Sequence, residues 1–122
     1  MSNTKKPDTD KYYVIEPLFN ELYTEMKELC KKHANELVND FKANKINGIL
    51  AVILELVENE PTAKFLELLK FKNNDNSNIN QSNYTCINTY SDVVLLMGLY
   101  QAALKEFKKL YIFDSVFSLD ED

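Results

Sequence analysis

The sequence predicts an all-α fold, a compact bundle of about four helices with one long N-terminal helix and a disordered Asn-rich loop before the last helix. Three observations carry this expectation. Backbone punctuation is sparse, with two Gly and three Pro in 122 residues, whereas many short strands joined by tight turns need more of both. Apolar residues from Phe19 through Leu22, Met26, Leu29 and His33 recur at steps of three and four, the spacing of a single helix face. The segment 49–57 is apolar nearly all round and could be a buried helix or a buried strand. No second strand of similar quality exists to satisfy its backbone, so helix is the better reading.

The elements follow in order. Residues 1–11 are polar and read as a flexible tail. Pro17 disfavours helical geometry at Glu16 but suits a first helical position, so helix one is expected to begin there. With its stripe extended through Leu37 and Phe41, it runs about 27 residues, or roughly 40 Å. The stretch 44–48 breaks the pattern, and 49–57 becomes the central helix. Pro61 ends it and opens a third helix over about 61–71, burying Ala63, Phe65, Leu66 and Leu69. Residues 72–83 are almost wholly polar and rich in Asn, which reads as a mobile surface loop. Residues 84–90 are ambiguous between a short turn and an extended stretch. The last helix is expected from Ser91, a good cap, with Asp92 in its first turn. Residues 12–119 then form one helical domain, and 120–122 an acidic tail.

Composition narrows the function. The net charge is -5, and all the basic residues are Lys, with no Arg. Arg supplies the planar fork used on guanine edges and phosphates, so direct nucleic-acid binding is not expected. No apolar run is long enough to span a bilayer, and the polar N-terminus reads as neither signal peptide nor anchor. Two Cys, Cys30 and Cys86, make no disulfide framework. The expected home is the cytoplasm or nucleus, with no membrane partner.

Candidate chemistry is thin. The single His, His33, lies one helical turn after Cys30, and Cys86 could add a third soft ligand, but a zinc site needs a further ligand. Cys30 and His33 also fit the apolar stripe as ordinary core or boundary residues. Paired carboxylates such as Glu21 with Glu25 and Glu55 with Glu58 read as solvated helix faces. The two glycines, Gly48 and Gly98, form no phosphate-binding loop. The expectation is therefore no catalytic, cofactor or metal residues.

What remains is apolar and aromatic surface. Tyr12 and Tyr13 fall outside the clear stripes, and Tyr is favoured at interfaces. Phe113, Val116, Phe117 and Leu119 recur at near-helical spacing among acids, as in a segment that either packs on its own domain or folds into a partner's groove. These six residues are the candidate partner-binding set. The expected function is a non-catalytic protein–protein interaction module, a small subunit or adaptor of a larger complex. The alternative is an acidic inhibitor or immunity-type protein that blocks a basic enzyme.

Overall fold

The computed structural model describes residues 8–73 and 84–113. The expected tail up to residue 7, the Asn-rich segment 74–83 and the stretch from 114 through the acidic tail 120–122 lie outside the described residues. The fold is mostly helical: three helices, α1 (Thr9–His33), α2 (Asp40–Leu56) and α3 (Tyr90–Phe107), share one core with a small two-stranded hairpin. The all-α expectation is corrected by that hairpin, β1 (Phe71–Asn73) and β2 (Tyr84–Cys86).

Helix α1 starts at Thr9, eight residues before the expected Pro17. Asp8 caps it, its Oδ1 accepting from the Lys11 N–H at 3.0 Å, and Asp10 lies in the first turn. So Thr9–Lys11, expected in the tail, are helical. Pro17 sits inside the helix, where it costs about 3 kcal/mol. Burial of Tyr12 and Ile15 ahead of it offsets this, at roughly 1.5–3 kcal/mol for each large apolar side chain. Tyr12, Ile15, Phe19 and Met26 form the buried stripe.

The end of α1 is also corrected. It stops at His33, and α2 begins at Asp40 rather than near residue 49. Asn39 caps α2 by accepting from the Lys42 N–H at 2.8 Å. Between the helices the chain runs beside the start of α3, with the Val38 N–H donating to the Asn88 carbonyl at 3.0 Å and the Tyr90 N–H to that of Glu36 at 3.0 Å. Leu37 and Phe41, expected on the buried stripe, are consequently exposed. Segment 49–57 is helical as expected, and Ala43, Ile46, Leu50, Ile53 and Val57 bury the face of α2 at steps of three and four.

The third helix expected over 61–71 is a short 3₁₀ turn, Pro61–Phe65, followed by extended chain. Polar side chains from α2 and from the segment before α3 explain the change. Asn47 grips both backbone groups of Leu69: its Oδ1 accepts from the Leu69 N–H at 2.7 Å and its Nδ2 donates to the Leu69 carbonyl at 3.2 Å. Asp40 accepts from the Cys86 N–H at 2.9 Å, and Asn88 from the Lys70 N–H at 2.7 Å. Extended residues thus find side-chain partners where a sheet would supply another strand. β1 and β2 pair antiparallel, with Phe71 opposite Cys86, which places Lys72 and Asn73 in a strand rather than in the loop.

Helix α3 begins one residue before Ser91. Its cap is Thr89, in a reciprocal capping box with Asp92: the Asp92 N–H donates to Thr89 Oγ1 at 3.1 Å and the Thr89 N–H to Asp92 Oδ2 at 3.2 Å. Gly98 marks a close helix crossing, since a Cβ there would lie 3.2 Å from Tyr23 Oη. Past Phe107 the helix loosens into a π-helical turn, Lys108–Phe113. The Tyr111 hydroxyl ties this turn to Glu60 at 2.7 Å.

Helix α1, not α2, is central, because it packs extensively on both other helices whereas α2 and α3 touch only slightly. It runs antiparallel to α2, as the Lys11–Glu55 (3.2 Å) and Lys42–Glu25 (3.9 Å) ion pairs show. It is antiparallel to α3 as well, with Tyr12 stacked on Phe107 and His33 beside Tyr90. No helix among the described residues is long and apolar enough to cross a membrane.

Candidate protein interaction surfaces

The two adjacent tyrosines singled out in the sequence part company in the fold. Tyr12 is a core residue, 4% exposed, whereas Tyr13 is 58% exposed. Tyr12 stacks on Phe107 at 5.6 Å and meets the Tyr13 ring edge-on at 5.7 Å. Burial, and secondarily the charge of Glu16, pushes the Tyr12 hydroxyl up to about 12. The Phe113 side chain, and Val116, Phe117 and Leu119, lie outside the described residues.

Sequence reasoning missed the residues that flank Tyr13. Val14 and Leu18 are 64% and 51% exposed and stand one helical turn apart. They belong to the stripe Lys11, Val14, Leu18, Glu25, both ends of which are ion-paired to α2. Leu18 lies midway along this stripe, and the midpoint of the paired stretch of α2, between Lys42 and Glu55, falls between Gly48 and Ile49. A Cβ built on Gly48 meets nothing within 4 Å. Val14 and Leu18 line the edge of α1 beside α2, the α1–α2 seam. Gly48 is exposed, on the side of α2 opposite the buried Ala43, Ile46, Leu50 and Ile53. The signal was present in the sequence: Leu18 sits off the Phe19–Met26 stripe.

A second apolar surface covers the back of α3. Leu95, 71% exposed, and Leu99, 43% exposed, are one turn apart, and exposed Ala102 follows. Their burial contrasts with that of Val93, Met97, Tyr100 and Phe107 on the opposite side.

A shallow depression of about 560 Å³ lies where α2 meets the 3₁₀ turn, lined by Leu54, Glu55, Glu58, Glu60, Pro61, Ala63 and Lys64. Its carboxylates make it acidic. Glu55 and Glu60 are each engaged, by Lys11 and by the Tyr111 hydroxyl.

The soft-ligand set is dispersed. His33 Nδ1 shares a hydrogen bond with Glu36 at 2.8 Å. Cys86, the last residue of β2, is fully buried, and burial raises its thiol above the usual range. Among the described residues, no three His, Cys, Asp or Glu side chains are grouped to hold a metal ion. The arrangement these elements do present is exposed apolar helix surface with charged margins. No family model, no curated protein and no solved structure matches the chain.

Proposed function

We propose that this chain is a non-catalytic protein–protein interaction module, a small subunit or adaptor of a larger assembly, whose partner docks on the α1–α2 seam. The observation that carries the reading is the exposure of Val14 and Leu18, one turn apart on the stripe of α1 whose two ends are ion-paired to α2. Contiguous apolar surface of this kind, rimmed by charge, is the usual mark of an interaction site. Tyr13, beside Val14, supplies a rigid amphipathic ring at its edge. Docking removes Val14 and Leu18 from water, and a few such central residues supply most of the affinity of an interface.

The test is capture of partners from the protein's own cells with the wild-type chain and with Leu18→Glu. Leu18 is half exposed, so the variant keeps the core intact. The reading expects a partner held in stoichiometric amount by the wild type and lost by the folded variant. A partner set unaffected by Leu18→Glu would remove the seam as its site.

A second reading, an acidic inhibitor of a basic enzyme, is favoured by the depression at Glu55, Glu58 and Glu60. Binding on that side would be steered by charge and weaken steeply with salt. Replacing Glu58 with Gln, which spares both engaged carboxylates, should then slow association.

A further inference from the structure

We infer that residues 66–70 form a strap that opens as a unit while the three helices stay folded, baring a groove between α2 and α3 that takes an extended segment with leucines three residues apart. α1 packs extensively on both neighbours, but α2 and α3 touch only slightly. The strap bridges the gap this leaves. At one point it meets α3, where the Tyr100 hydroxyl donates to the Glu67 carbonyl at 2.7 Å. Two residues later it meets α2, where Asn47 grips the backbone of Leu69. Leu66 and Leu69 enter the core, and Leu68 between them stays exposed.

The strap is attached as a bound peptide is, not as a core element. Among the described residues, no backbone group from Glu67 to Leu69 bonds to another backbone group, and side chains alone hold them. Lys70 adds a bond to the Asn88 side chain and one backbone bond, from the Ile87 N–H. Asn47 contacts the Leu69 backbone through its amide, so the clamp suits any extended chain. A segment with two buried side chains and no ladder belongs at the low end of local stability. Extended chain fixed at both ends lifts only if slack is supplied, and the 3₁₀ turn Pro61–Phe65 supplies it. None of its residues is buried. Drawing it from about 2.0 Å to about 3.3 Å per residue lengthens the connection by roughly 6 Å. The pairing of Phe71 with Cys86 is then the hinge.

The groove shares no residue with Val14 and Leu18, so the two readings stand or fall independently. The experiment is native-state amide hydrogen exchange of the full chain at rising, sub-denaturing urea. The Leu69 and Lys70 amides should be at least about a hundredfold less protected than those of Met26 and Met97 in the helices. Their exchange should depend only weakly on urea, because a small opening bares little surface. Tyr100→Phe keeps the buried ring and removes the bond to Glu67. It should speed exchange at Lys70, which Tyr100 does not bond, by roughly fivefold. A labelled peptide of the strap's own sequence, residues 64–70, should bind the Leu66→Ser, Leu69→Ser double variant, and adding Asn47→Ala should abolish that binding. Circular dichroism checks that these variants remain helical. Strap amides as protected as those of the helices, with the same urea dependence, would mean that the strap opens only with the whole fold and would overturn the inference. A Lys70 amide indifferent to Tyr100→Phe, or a helical double variant that ignores the peptide, would overturn it as well.

Discussion

The side-chain amide of Asn47 holds the backbone of Leu69 at both ends, accepting from its N–H at 2.7 Å and donating to its carbonyl at 3.2 Å. A residue in the middle of α2 thereby replaces the neighbouring strand that extended chain normally needs. Leu69 is buried, so water is a poor substitute. Asn47→Ala should destabilise the protein by about 2 kcal/mol, the usual loss for unsatisfied buried backbone groups. A shift of the urea midpoint at unchanged slope checks this. Asn47→Asp keeps the acceptor and should recover part of the loss.

Pro17 carries a removable penalty. It interrupts the ladder of α1 at an exposed position, so Pro17→Ala restores a backbone bond without disturbing the core. The expected gain is about 1–3 kcal/mol, read as a rise in the thermal midpoint. No gain would mean that the helix has adapted fully to the ring.

Gly98 and Tyr23 are coupled. Ala at position 98 gains about 1 kcal/mol in helix propensity, but its Cβ would sit 3.2 Å from Tyr23 Oη. Gly98→Ala should therefore be more stabilising in a Tyr23→Phe background than in the wild type. A double-mutant cycle measures the difference, and additive effects would show that the hydroxyl does not restrain position 98.

Alkaline pH should unfold the protein. The Tyr12 hydroxyl ordinarily titrates at 10.0, and burial holds it up to about 12 in the fold. Below pH 10 both folded and unfolded forms keep the proton, and the contribution to stability is complete. Between about pH 10 and 12 the unfolded chain releases it while the folded chain does not, so stability falls as pH rises. Tyr100, raised in the same direction by burial, acts with it. Urea midpoints measured across this interval should decline, and less steeply in Tyr12→Phe.

The helical character of the fold was legible in apolar spacing. The boundaries were not, because local signals competed. Pro17 looked like a start, but Asp8 and the burial of Tyr12 and Ile15 extended the helix past it. The stripe from His33 through Leu37 to Phe41 looked continuous. The cap at Asn39 and the backbone bonds of residues 36–38 to the start of α3 broke it. Strand pairing at Phe71 and Cys86 depends on Asp40, Asn47 and Asn88, which are remote in sequence and carry no periodic signal. The exposure of Leu18 was legible from its place off the Phe19–Met26 stripe.

Docking on the α1–α2 seam means that a different protein covers Val14 and Leu18 in the cell. Its most direct test is the size at which the chain runs in a fresh extract of its own cells. The account predicts a position well above that of the free 14.2 kDa chain, shifted down to it by Leu18→Glu. Elution of the wild type at the free size would contradict it.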